Sequence, residues 1–217
     1  MDREIEKLKK RILALSAVVE NSVEQAVLSV TERNESLAAR VIDLDNEIDQ
    51  MEVDVEEECL KILALHQPVA NDLRFVIAVL KINNDLERIG DEAVNIAERA
   101  FFLSRHTPIK IPFDFTMMSD KTQAMLRLSL DALVTLNTDL AREVGARDDE
   151  VDDLNRQMYL HIQNEMRRQQ NDVECLVHVL SISRHLERIA DYATNIAEDV
   201  IYLIEGEIVR HKAETFH

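Results

Sequence analysis

Acidic residues followed, four positions later, by an aspartate recur in both halves of the chain, among them Asp45 with Asp49, Glu87 with Asp91, Asp148 with Asp152, and Glu187 with Asp191. On a helix that spacing puts both carboxylates of a pair on one face. Like charges so placed repel by about 0.2–0.5 kcal/mol, and a multivalent cation between them reverses the sign. The donors are all oxygen, which suits hard or borderline ions such as iron, manganese, magnesium or calcium. Asn95 and Asn195, one turn beyond the second acid, offer amide oxygens, and Glu98 and Glu198 follow three residues further on.

A plainer reading competes with metal chemistry. The chain carries 42 acids, so same-face acidic pairs also arise on wet surfaces, and Asp43 with Glu47 is one more. Arg88 and Arg188, inside the third-helix motifs, could neutralise neighbouring acids as salt bridges. Against a merely solvated face stands the stretch from Val41 to Glu58, which holds nine acids and no base. Catalytic arrangements are poorly supported. Glu-x-x-His does not recur on two helices as a ferritin-like di-metal oxidase requires, and HExxH, GxSxG and a Gly-rich phosphate loop are missing. A carboxylate-site metal-dependent enzyme therefore ranks behind a non-enzymatic binding protein. His66 reads as a surface or cap residue. The clusters Lys9, Lys10, Arg11 and Arg167, Arg168 read as solvated helix surface, and Cys59 and Cys175 as core thiols.

The elements that must position these acids follow from composition. Among 217 residues there are only three Gly and three Pro, too few turn formers for a many-stranded sheet, and the chain reads as all-α. The net charge of -17 is shared by both halves, with 22 acids and 13 bases in residues 1–108 and the remaining 20 and 12 beyond. A field of that sign repels phosphodiester backbones and argues against direct nucleic-acid binding. Two distant cysteines outside any CxxC, and an N-terminus without an apolar core, point to a cytoplasmic protein. No run of 18 consecutive apolar residues occurs, so no membrane span is expected.

Apolar residues at three- and four-residue steps predict helices over about 5–31, 37–65 and 69–102, with His66, Gln67 and Pro68 as the second interruption. The segment 104–116, with Pro108 and Pro112, is the linker. Beyond it the periodicity predicts a helix from Met118 that breaks near Gly145, another over about 148–168, and a long one over 171–210 that bends or frays near Gly206. LERIGDEAVNIAE at 86–98 returns as LERIADYATNIAE at 186–198, identical at 10 of 13 positions, and DNEID at 45–49 is echoed by DDEVD at 148–152. Two tandem three-helix bundles follow, one in residues 1–106 and one in 114–217.

Together with VIDLDNEIDQME at 41–52, HQPVANDLR at 66–74 and HLERIADYATNIAEDVIYLIEG at 185–206, these motifs resemble the PhoU family of phosphate-transport regulators over nearly the whole chain. The resemblance implies paired three-helix bundles whose acid-x-x-x-Asp motifs hold metal, iron or zinc above all and sometimes multinuclear. It carries Asp45, Asp49, Glu87 and Asp91 to one site and Asp148, Asp152, Glu187 and Asp191 to the other. Manganese or magnesium would also suit such ligands. It further implies negative regulation of phosphate uptake through the ATPase subunit of the phosphate ABC transporter and the sensor histidine kinase of the phosphate response. A homodimer is compatible with the family, as is a peripheral position at the inner face of the membrane through these partners. The second half departs from the pattern: RQQNDVECL at 168–176 has no proline, and Glu174 stands where the first half has Arg74.

Overall fold

A computed structural model describes residues 1–109, 115–168 and 172–206. The described residues form six α-helices: α1 Asp2–Thr31, α2 Glu35–His66, α3 Ala70–Ser104, α4 Phe115–Thr135, α5 Thr138–Arg168 and α6 Val173–Glu205. α1–α3 make one three-helix bundle and α4–α6 the other. Each buries a stripe at helical spacing, such as Leu8, Ile12, Leu15, Val19 and Val23 on α1, and Ile182, Leu186, Ile189, Ala193 and Ile196 on α6. Cys59 and Cys175 are buried free thiols, as their apolar surroundings predicted.

An 18-residue window of α1 reaches a mean hydropathy of 1.2, enough by length and composition for a membrane span. Its apolar stripe is buried against α2, α3 and α4, so the bundle core accounts for that hydropathy.

The boundaries hold in the first half and shift in the second. Asn34 caps α2 by accepting the Leu37 N–H at 3.0 Å. Gln67 leaves α2 in the left-handed region (φ 45°), and Pro68 precedes α3 rather than opening it. The break expected near Gly145 lies instead at Leu136 and Asn137. Leu136 takes a left-handed φ of 50°, and the Asn137 side chain accepts the Asp139 N–H at 2.8 Å and the Leu140 N–H at 3.3 Å. A capping asparagine decides where α5 starts, while Gly145 is carried inside it at a cost of about 1 kcal/mol relative to alanine. At the other end α6 stops at Glu205, where Gly206 adopts φ 74° and donates its N–H to the Tyr202 carbonyl at 2.9 Å. The remainder of the helix expected to reach 210 lies outside the described residues.

The halves meet mainly through α3 and α6, with α1 also touching α4. α3 and α6 run antiparallel: Lys81 Nζ pairs with Asp199 at 3.0 Å near one end, and Arg99 Nε donates to Ser181 Oγ at 3.4 Å further along. Phe102 stacks on His178 beyond that. These contacts follow the repeat, because Lys81 and Ser181, and Arg99 and Asp199, occupy equivalent positions in the two copies.

Candidate functional site

α2 and α3 pack side by side in the first bundle, and α5 and α6 in the second, so each pair of acid-bearing helices is adjacent. In the first half Asp45 and Asp49 on α2 face Glu87 and Asp91 on α3. Partial burial raises the carboxyl of Asp45 above its ordinary pKa, and Asp49 and Asp91 add to the shift. Glu87 is raised by burial and then by Asp91, Asp49 and Glu52, against a lowering by Arg88. Asp91 is raised by burial, Asp49 and Glu92, against Arg188.

The second half repeats the layout. Asp148 is raised by burial and by Asp152, although Thr194 donates a hydrogen bond to its Oδ1 at 3.3 Å. Glu187 is raised by burial and by Asp152, against Arg184, Asn155 and Arg188. Asp191 is the most perturbed of the eight candidate acids, pushed to about 6 by desolvation and then by Asp148, Glu187 and Asp152. All eight sequence-predicted acids thus fall into two cross-helix clusters. Among the described residues, no three such side chains close on a single point as ligands would. Mutual repulsion of the carboxylates favours that splayed arrangement.

One participant escaped the four-residue spacing. Glu52, one turn beyond Asp49, is raised by burial, Glu56 and Asp49, and its Oε1 accepts from Asn83 Nδ2 at 2.8 Å. Its signal was the acidic run from Val41 to Glu58, not a paired motif. The second half has Asn155 at this place, bonded to Ser183 Oγ at 3.0 Å, so the two clusters differ by one carboxylate.

The accessory candidates are placed differently. Asn95 Nδ2 donates to the Asp91 backbone carbonyl at 2.9 Å, which ties it to its own helix. Glu98 bridges to Arg99 at 2.6 Å. Asn195 instead lines a cleft of about 540 Å³ with Lys81, Arg88, Asp148, Asp191 and Thr194. Arg188 does form the anticipated salt bridge, but across the halves: its Nη1 lies 2.9 Å from Oε1 of buried Glu92, whose Oε2 lies 2.6 Å from His185 Nδ1. Because Arg188 also lowers Asp91, Glu187 and Asp191, one guanidinium serves as counter-ion to both clusters. Its repeat equivalent Arg88 lies over the Tyr192 ring instead, 5.9 Å from the centroid. The basic patch at 9–11 is not wholly solvated either, since Arg11 donates to the Asp54 carbonyl at 2.8 Å and approaches buried Glu58 to 3.6 Å. His66 is the exposed last residue of α2, as expected.

The family model described as the PhoU domain matches this chain twice, over residues 2–100 and 115–200. The chain belongs to the PhoU family. Each match spans one three-helix unit of the repeat, and together they make the chain a phosphate-transport regulatory protein of that family. A phosphate-specific transport system accessory protein PhoU homolog of Aquifex aeolicus is 38% identical over 210 residues, covering 97% of this chain and 95% of the relative. The crystal structure of PhoU from Pseudomonas aeruginosa superposes with a TM-score of 0.91 at 35% identity, covering 95% of this chain and 99% of that one. The phosphate transport system regulatory protein PhoU from Streptococcus pneumoniae gives 0.85 at 29% identity, covering 96% and 98%. These relatives are described as accessory and regulatory proteins of phosphate transport.

Proposed function

We propose that this PhoU-family protein is a metal-binding negative regulator of phosphate uptake that docks on the ATPase subunit of the phosphate ABC transporter and on the sensor histidine kinase of the phosphate response. Family membership supports the regulatory role. The observation that carries the metal reading is the facing of carboxylates from two helices in each half, where burial and then neighbouring acids raise the pKa of Asp45, Glu87, Asp148 and Asp191. Such crowding is unfavourable in the lone chain and becomes favourable when a cation neutralises it.

The donor chemistry suits such a cation, which would have to draw the splayed carboxylates together. Asp45, Asp49, Glu87 and Asp91 would hold one site and Asp148, Asp152, Glu187 and Asp191 the other, through oxygens that accept iron, zinc, manganese or magnesium. A bound cation supplies positive charge between paired helices. The residues then clamp α2 to α3 and α5 to α6, stiffening the surfaces offered to a partner. Work at the inner face of the membrane, through protein partners, is the location this role requires.

The test is metal content and metal-induced stabilisation of untagged protein. Glu87→Ala and Asp91→Ala should lower occupancy, as should Glu187→Ala and Asp191→Ala, and all should lose the thermal shift on adding metal. Negligible metal in native and reconstituted protein would overturn the site assignment. For partners, co-purification with the transporter ATPase subunit in phosphate-replete cells is expected, and its repeated failure beside a positive-control homologue would overturn the docking role.

A further inference from the structure

The repeat brings matching positions of the two halves into direct comparison, and one face has diverged in a consistent direction. Beyond the second acid, α2 continues with Glu52, Val53, Glu56 and Glu57, whereas α5 carries Asn155, Arg156, Tyr159 and Leu160 at the equivalent places. On the neighbouring helix Ile77 and Leu80 are matched by Val177 and Leu180, but Asn84 is replaced by Arg184. Three acids have gone, two arginines have arrived, and an aromatic and a leucine stand where glutamates were. The result is an apolar groove of about 750 Å³ between α5 and α6. Arg156 and Arg184 edge it, and it exposes large apolar side chains to water: Tyr159 is 54% exposed, Leu160 58% and Val177 50%. In a chain of net charge -17 this is a local reversal of both polarity and sign.

We propose that the α5–α6 groove docks an acidic amphipathic helix of a partner protein, its apolar stripe seated on Tyr159, Leu160, Val177 and Leu180 and its flanking carboxylates on Arg156 and Arg184. The shape favours a helix. α4 already packs on α5 and α6, and a further helix in the groove meets two antiparallel helices as it would in a four-helix bundle. The charge favours acid. Arg156 has an exposed ion pair with Asp153 at 2.9 Å, which a partner carboxylate exchanges at little cost, since such surface pairs contribute about 0–1 kcal/mol. The matched face of the first half, with Glu56 and Glu57 exposed, would repel the same helix. A flat anionic lipid surface is disfavoured because the groove is concave. The proposal does not depend on metal, so it goes beyond the regulatory reading in naming the face and the chemistry of its partner.

The test uses two labelled model helices of about five turns, each with leucines at i, i+3, i+4 and i+7, flanked by glutamates in one and by lysines in the other. Fluorescence anisotropy with the full chain should show the glutamate helix binding at least about tenfold more tightly than the lysine helix. The double variant Arg156→Glu/Arg184→Glu should invert that order. Leu160→Asp should weaken binding of the glutamate helix by about tenfold or more, while Leu60→Asp on α2 leaves it unchanged. Both leucines are exposed, so unaltered thermal unfolding is expected and shows that binding, not folding, is read. Equal affinity for the two helices, or no binding of either at about millimolar concentration, would overturn the proposal. So would binding of the glutamate helix by Leu160→Asp and native protein alike. Capture by anionic vesicles through these residues without helix binding would overturn it in favour of lipid. Self-association abolished by Leu160→Asp in sedimentation would overturn it in favour of a second copy.

Discussion

Asp191→Asn removes a charge from the most crowded carboxylate of the second cluster. Its pKa rises from 3.8 to about 6, so at neutral pH the ionised side chain destabilises the folded chain. A shift of that size corresponds to about 3 kcal/mol at 1.36 kcal/mol per unit, and because the half-shielded side chain keeps access to water, solvent screening reduces it to about 1 kcal/mol. Without metal at pH 7, Asp191→Asn should therefore be more stable than the native chain. The rise in Tm should be about 2–4 °C for a domain pair of this size. The sign of the pH dependence follows from the direction of the shift. For an acid with a raised folded pKa, the penalty is complete above about 6, shrinks as pH falls, and vanishes below 3.8, where both states are protonated. The advantage of the variant should fade over the same window. Added manganese or zinc should reverse the order, stabilising the native chain more than the variant. Thermal unfolding followed by circular dichroism, with and without chelator, reads every arm. A variant less stable than the native chain at pH 7 in chelator would refute the crowding argument, and an unchanged metal-induced shift would refute Asp191 as a ligand.

Glu92→Ala removes the carboxylate that His185 and Arg188 share across the α3–α6 interface, and should lower stability by about 2 kcal/mol in urea unfolding, because Arg188 loses a charged hydrogen-bond partner and the His185 ring loses its hydrogen bond. Glu58, buried on α2, is held below its ordinary pKa of 4.5 by the hydrogen bond from Lys7 and by the charges of Lys7, Lys61 and Arg11. Its stabilisation is present above pH 4.5 and lost as pH falls through the lower folded value, so Glu58→Gln should cost about 1 kcal/mol at pH 7 and progressively less below pH 4.5 in urea titrations. Asn137→Ala removes the cap of α5 and should cost about 1 kcal/mol in thermal unfolding, whereas Gly145→Ala, inside the same helix, should stabilise by a few tenths to about 1 kcal/mol.

The helical class, the count of six helices and the pairing of the acids were legible in the residues alone. Each rests on local information: the stripes Leu8–Ile12–Leu15 and Ile189–Ala193–Ile196 carry the helical period, and the duplicated LERI motif announces two copies of one unit. The Gly145 break was misplaced because a glycine in a helix costs only about 1 kcal/mol, which two flanking helical turns outweigh. The capping power of Asn137 lay in its hydrogen bonds to Asp139 and Leu140, and the same residue type occurs mid-helix elsewhere, as at Asn83 and Asn95.

What periodicity could not carry was the relation between surfaces far apart in the chain. The spacing of Glu187 and Asp191 placed them on one helical face, but only packing of α5 on α6 set that face against Asp148 and Asp152 and raised Asp191 to about 6. Glu52 joined the first cluster through the α2–α3 contact, and Arg188 became the counter-ion of both clusters because α3 and α6 lie antiparallel across the repeat. Residue type and spacing decide which side chains share a helix face, since backbone geometry is local. Which faces then meet depends on the burial of whole apolar stripes and on the field summed over neighbouring helices, and both exist only once the chain has folded.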